Sequence, residues 1–383
     1  MAGGGAAVPG SSIGGPPDAS SEYDGGHAGI SVMASCSPHI PARCERRKRV
    51  AGKPLIALEE VQLARAGARG QSAGYAPMWG LILVRRSLGE IMDPSSEPIY
   101  AGIANFPAEL GTIDLGSGVT LQPTYAHLMA PFLMAFNPAP VNAAHPGPWA
   151  AVKGGLNIDI NAELYIPTSF SASGFDRLNT VWWITSLFRL SLSPRIHVPV
   201  ITNRPFKEVP NDCQNADLLP IEAFTHGHHG TLYQPVNARE SSEWVVRTWQ
   251  RAQPLMKNAR FHDTYQALDT IWSTPSPSLA LLTLWGALEN LFSPAKQELR
   301  FRVSSNIACY LEPYGSRRLE LQRKLLRLYD ARSSAAHGTS KEFGNALVET
   351  QDIARRAMHK MLETLHVPTK DELDALLLGS EST

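Results

Sequence analysis

The hydrophobic positions of this chain change period partway along it. Over 156–166 they alternate: Leu156, Ile158, Ile160, Ala162, Leu164 and Ile166 are interleaved with Asn157, Asp159, Asn161, Glu163 and Tyr165. That pattern predicts a strand with one apolar and one solvated face. Runs at 79–84 and 196–201 predict further strands, and Pro199 in the second, having no N–H to donate, predicts an edge position or an early end. Between them, 175–192 carries Leu178, Trp182, Thr185 and Arg189 at helical steps. Trp182 and Trp183 there read as packing residues rather than base-stacking platforms.

From about residue 241 the spacing becomes three and four. Helices are predicted at 242–257, where Pro254 should kink or end the run, and at 261–272, 276–292, 297–311 and 319–338. A long helix follows, with Ala346, Thr350, Ile353, Ala357, Met361 and Leu365 in one stripe, and Thr369 to Glu372 reads as the capping box of a last one. His359, one turn beyond Arg355, reads as part of a solvated face. The fold class is therefore α+β: a strand-rich mixed α/β domain over 51–236, then an all-α domain over 237–383. Residues 1–50, rich in Gly, Ala, Ser and Pro, read as a disordered tail, or as sequence upstream of the true start, whose basic run at Arg43, Arg46, Arg47, Lys48 and Arg49 is solvated.

Lys plus Arg number 35 and Asp plus Glu 35, so the net charge is zero and contact with a polyanion would have to come from a local patch. Cys36, Cys44, Cys213 and Cys309 are scattered without a C-x2-C pair, which argues against a zinc ribbon or a disulfide framework and fits a reducing, cytoplasmic setting. No apolar run approaches the roughly 20 residues needed to cross a bilayer, so no membrane association is expected. His226, His228 and His229 lie in a glycine-flanked loop with no Cys or carboxylate at ligand spacing; they read as a hinge, and no metal or cofactor is expected.

Chemistry concentrates in 319–338. Leu321, Leu325 and Leu328 mark one helical face, and the next step of four falls on Arg332 where another leucine would be expected. His337 follows five residues later, and Gly338 is placed to cap the helix. A guanidinium matches the equatorial oxygens of a phosphate, and an imidazole titrates near neutrality. Together they suit cleavage of RNA by its own 2′-hydroxyl, which needs no metal. Residues five apart lie roughly 140° apart around a helix. Either the helix ends or kinks at Ser333, Ser334 and Gly338, or two copies meet across a dimer. On the helix over 276–292, Glu289 falls in an apolar stripe with Leu282, Trp285 and Phe292, so it needs a partner, Arg332 or Arg302. The alternative is a half-exposed glutamate at the stripe's edge.

These stretches, LWGALENLF at 284–292, ELRFRVSSNIACYLEP at 298–313 and LLRLYDARSSAAHG at 325–338, resemble the Apea-like branch of the HEPN domain family. Arg332 and His337 match its Arg-x4-6-His signature. The resemblance covers roughly the last 110 to 140 residues. It implies a small helical domain, usually dimeric, that in active members is a metal-independent endoribonuclease leaving a 2′,3′-cyclic phosphate and a 5′-hydroxyl, often in antiviral defence or toxin systems. In many active members Asn, His or Asp follows the arginine; here the residue is Ser333. The implied partners are RNA and a second copy, with residues 51–236 as a sensor or gate for an unknown trigger. The alternative is a non-catalytic module that binds RNA or nucleotide and dimerises.

Overall fold

A computed structural model describes residues 97–141, 146–171, 175–222, 237–274, 276–292, 298–337 and 343–379, all within one compact unit, Ala64–Thr383. The N-terminal tail, the strand expected at 79–84, the histidine loop and the Gly338 cap lie outside the described residues.

The alternating stretch forms a strand, but a longer one than its pattern announces. Strands β1 (Ile99–Ala104), β2 (Ile113–Gly116), β3 (Val119–Ala135), β4 (Trp149–Ile166), β5 (His197–Thr202) and β6 (Leu218–Pro220) make one antiparallel sheet in the order β2-β3-β4-β1-β5-β6. Both edges are strands of three or four residues, which limits the unpaired backbone they offer to other chains.

Two expectations for the sheet are corrected. Pro199 is not on an edge, since β5 pairs with β1 on one side and β6 on the other. The β1–β5 register slips between Gly102 and Ala104, beside Pro199, so the missing N–H falls where the ladder is already broken. Nor is the polar face of β4 wholly solvated. Glu163 is 1% exposed and accepts from Gln122 Nε2 at 2.8 Å and from the Phe206 N–H at 2.7 Å. The chain after β5 folds over this face, where Phe206, Val200 and Ile160 form a small second cluster.

Gly102 sits beneath that cluster, and a Cβ there would meet Phe206 Cζ at 2.7 Å and Ile160 Cδ1 at 2.9 Å. Gly102→Val should therefore destabilise the unit by about 1–3 kcal/mol through overpacking. Chemical denaturation measures it, and an unchanged midpoint would refute the tight fit.

The other face of the sheet is covered by α1 (Arg177–Ser191), capped by Asp176, whose carboxylate accepts from the Asn179 N–H at 2.7 Å. Almost every side of α1 is buried, because α2 (Ala238–Ala252) and α3 (Ala259–Thr270) pack on its far side. Trp182 and Trp183 are core residues, with rings 6.2 Å apart. Each indole N–H is satisfied across the layers, Trp183 donating to the Trp249 carbonyl at 2.7 Å and Trp182 to Asp269 at 3.0 Å. Trp249 in turn donates to the Leu115 carbonyl of β2 at 2.8 Å. At about 25 cal/mol per Å² and roughly 200 Å² each, two such indoles contribute on the order of 5 kcal/mol apiece. One hydrophobic core thus runs from the sheet into the helices.

Among the helices, α4 (Pro277–Phe292) is central, touching α3, α5 (Leu299–Leu311), α6 (Ser316–Ala336) and α7 (Gly344–Thr364). Its composition explains the position: Glu289 is its one charged residue, and seven of its apolar side chains are buried. Asn306 of α5 donates to the carbonyl of Phe292, the last residue of α4, at 2.7 Å. Pro254 does end α2, whose chain continues as a 3-10 turn over Gln253–Lys257. The last helix, α8 (Lys370–Leu378), has the expected capping box. His359 departs from its expected solvated face: its ring stacks on Trp244 at 4.3 Å, and burial lowers its pKa.

Candidate functional site

Helix α6 brings a leucine ladder to α4 and ends in the two basic residues. Leu321, Leu325 and Leu328 are buried. Arg332, next on the same face, lies half-buried, with its Nη2 3.2 Å from one Glu289 oxygen and 3.4 Å from the other. Of the two arginines the sequence offered Glu289, Arg332 is the partner; Arg302 on α5 instead lies 3.9 Å from Asp374 on α8. The reason is geometric: each helix places its one charge in an apolar stripe, and the two stripes face each other.

One residue that sequence reasoning missed, Tyr329, completes this cluster. The Tyr329 ring lies under the Arg332 guanidinium, 5.6 Å away, and meets Trp285 edge-on at 5.2 Å. Its phenol is pushed up by burial and by the neighbouring charge of Glu289, against the opposing pull of Arg332, so it stays protonated beside that carboxylate. The available signal was Tyr329 standing three residues before Arg332, one turn along the same face. Glu289 keeps one oxygen, Oε1, without a hydrogen-bond partner. Its grip on Arg332 is longer than the 2.7–2.9 Å usual for a charge-assisted bond, and Arg332 Nε has no partner.

Of the alternatives offered for Arg332 and His337, a kink is absent, and the helix ends only at its last residue before His337. Helix α6 runs unbroken to Ala336 with both serines inside it, Ser334 Oγ donating to the Asp330 carbonyl at 3.0 Å. His337 is the C-cap residue, its N–H donating to the carbonyls of Ser333 at 3.3 Å and Ser334 at 3.2 Å. Its ring is exposed, without a polar partner among the described residues. Ser333 is half-buried and supplies this backbone acceptor.

At about 100° per residue, His337 lies roughly 140° from Arg332 around the helix but only about 40° from Arg323 and 80° from Arg327. The imidazole thus shares the outer face of α6 with those two exposed cations, while Arg332 faces α4. The helix as a whole carries Arg317, Arg318, Arg323, Lys324, Arg327 and Arg332 against Glu320 and Asp330. Lys324 is paired with Glu349 at 2.9 Å, and Asp330 is held by Arg300 through bonds of 2.8 and 2.7 Å. Arg317, Arg323 and Arg327 have no carboxylate partner among the described residues. A neutral chain has here a local surplus of positive charge that ends in an imidazole.

Among the described residues no three His, Cys, Asp or Glu side chains converge as a metal site would need, and no helix is long and apolar enough to cross a membrane. No protein-family model matches the chain, and no curated protein and no solved structure is similar enough to count as a match.

Proposed function

We propose that the chain is a metal-independent endoribonuclease of HEPN type, acting as a homodimer in a defence or toxin role, with its N-terminal part as the gate. The observation that carries the reading is the outer face of α6, where an exposed imidazole ends a row of unpaired arginines on a chain with no net charge. An RNA strand following Arg323 and Arg327 reaches His337. There the imidazole takes the 2′-hydroxyl proton, the 2′-oxygen attacks phosphorus, the bond to the 5′-oxygen breaks, and that oxygen takes a proton from water. The products are a 2′,3′-cyclic phosphate and a 5′-hydroxyl. Because the helix is unbroken, the guanidinium that grips this phosphate is Arg332 of a second copy. Glu289 positions Arg332, and its loose hold leaves donors for the phosphate.

A second reading, a non-catalytic module that holds RNA or nucleotide, draws support from Ser333 and from the engagement of Arg332 with Glu289. Incubating the purified protein with total RNA in EDTA separates the two. Fragments ending in a cyclic phosphate are expected; RNA that is retained but uncut would overturn the nuclease and favour the module.

Glu289→Gln keeps the shape and removes the charge that orients Arg332. Cleavage should fall by about tenfold, as for a lost positioning contact, while the melting temperature moves little. Full activity in this variant would reject the positioning role.

A further inference from the structure

A cleft between α1, α3 and α7 opens to solvent, with about 530 Å³ of space within it and at its mouth. It lies apart from the Arg332 and His337 cluster, and its wall is mainly apolar, including Leu190, Leu268, Trp272 and Val348. Each cation on its wall is already held by a carboxylate. Arg189 is bound to Asp269 at 2.7 Å, and Arg355 meets Asp352 at 3.2 Å. An added anion would face Asp269 and Asp352 with no uncommitted cation gained, so charge complementarity favours a neutral guest.

One polar demand on this wall is unmet. Gln351 is 5% exposed, and its Nε2, out of contact with solvent, has no hydrogen-bond partner. Native structures leave few buried donors in that state, and those they leave call for an explanation. A concave, mostly apolar surface with one placed donor is the ordinary make-up of a small-molecule site.

We infer that this cleft binds a neutral, largely apolar small molecule, and that the Gln351 side chain turns its unpartnered Nε2 toward the guest to donate a hydrogen bond to its carbonyl oxygen. The apolar body lies against Leu268, Trp272 and Val348, and the amide fixes its orientation. The site does not depend on the RNA reading, since none of these residues belongs to α6.

The test titrates the full chain with prodan, a neutral naphthalene ketone whose emission shifts to the blue in apolar surroundings. Saturable binding of one molecule per chain is expected. Leu268→Trp and Val348→Trp each fill the cleft and should weaken binding at least tenfold, with circular dichroism confirming which variants fold. Gln351→Leu removes the donor and should weaken binding by about fivefold to tenfold, the usual worth of one neutral hydrogen bond. Non-saturable emission, or equal affinity in a folded filled variant, means a solvent-filled cleft only and overturns the site. Unchanged affinity in Gln351→Leu overturns the carbonyl contact. Tighter binding of the anion 1-anilinonaphthalene-8-sulfonate at the same site overturns the neutral class.

Discussion

His337→Ala lowers RNA cleavage by about 10²- to 10⁴-fold, the usual worth of a general acid or base, and leaves the melting temperature within about 1 °C of the parent, as for an exposed side chain with no partner. Arg332→Ala gives a loss of similar size. The informative experiment mixes these two inactive chains. In a two-fold dimer whose sites each take Arg332 from one copy and His337 from the other, a mixed dimer has one site lacking both groups and one site intact. If subunits exchange at random, half the dimers are mixed, so the mixture should regain about a quarter of the parent activity. A site built within one chain regains nothing. Gel analysis of a labelled RNA in EDTA, before and after subunit exchange, decides it. Zero recovery with demonstrated exchange would place both groups in one chain and contradict the unbroken α6.

The sequence made the helical part more legible than the sheet, for physical reasons that particular residues illustrate. In α6 the ladder Leu321, Leu325, Leu328 fixes a face, and Arg332 must lie on it wherever the helix goes. Glu289 sits in a similar stripe on α4, so a pairing of the two was readable before any coordinates. The 140° offset of His337 was equally readable from helix geometry, although the serines allowed a kink that the helix does not make.

In the sheet, local pattern says which residues alternate but not what covers each face. Glu163 reads as solvated until the loop bearing Phe206 folds over it. Pro199 reads as an edge residue because nothing nearby announces that the β1 ladder slips beside it. In the cleft, Gln351 has a burial that no local pattern of α7 signals, since α1 and α3 complete the wall. Long-range layering decides these cases, and it leaves no periodic trace.

In the sequence Arg189 is only one position in a helical stripe, yet replacing it should have a large effect on stability. Its side chain is 7% exposed and spends its donors in three directions: Nε to the Ile196 carbonyl at 2.8 Å, Nη1 to Asp269 at 2.7 Å, and Nη2 to both Glu222 oxygens at 2.8 and 3.0 Å. Burial works against the cation, but Asp269 and Glu222 outweigh it and raise its pKa. Glu222 is pushed up by burial, with Arg189 and the Val198 N–H pulling the other way.

Arg189→Met removes one member and leaves two carboxylates in low dielectric. The expected cost is about 3–5 kcal/mol, and at roughly 2–4 °C per kcal/mol for a unit of this size the melting temperature falls by about 6–20 °C. The sign of the pH dependence identifies the cause. With the guanidinium gone, Glu222, already pushed up by burial, loses the charge that pulled its pKa down, so its protonation favours the folded state. The deficit of Arg189→Met against the parent should be largest at neutral pH and shrink as the pH falls toward about 4. Adding Asp269→Leu and Glu222→Gln removes the stranded charges and should recover much of the lost stability even at neutral pH. A deficit that is constant from pH 7 to 4, and that persists in the triple variant, would assign the loss to packing of the arginine stem instead of to its charge.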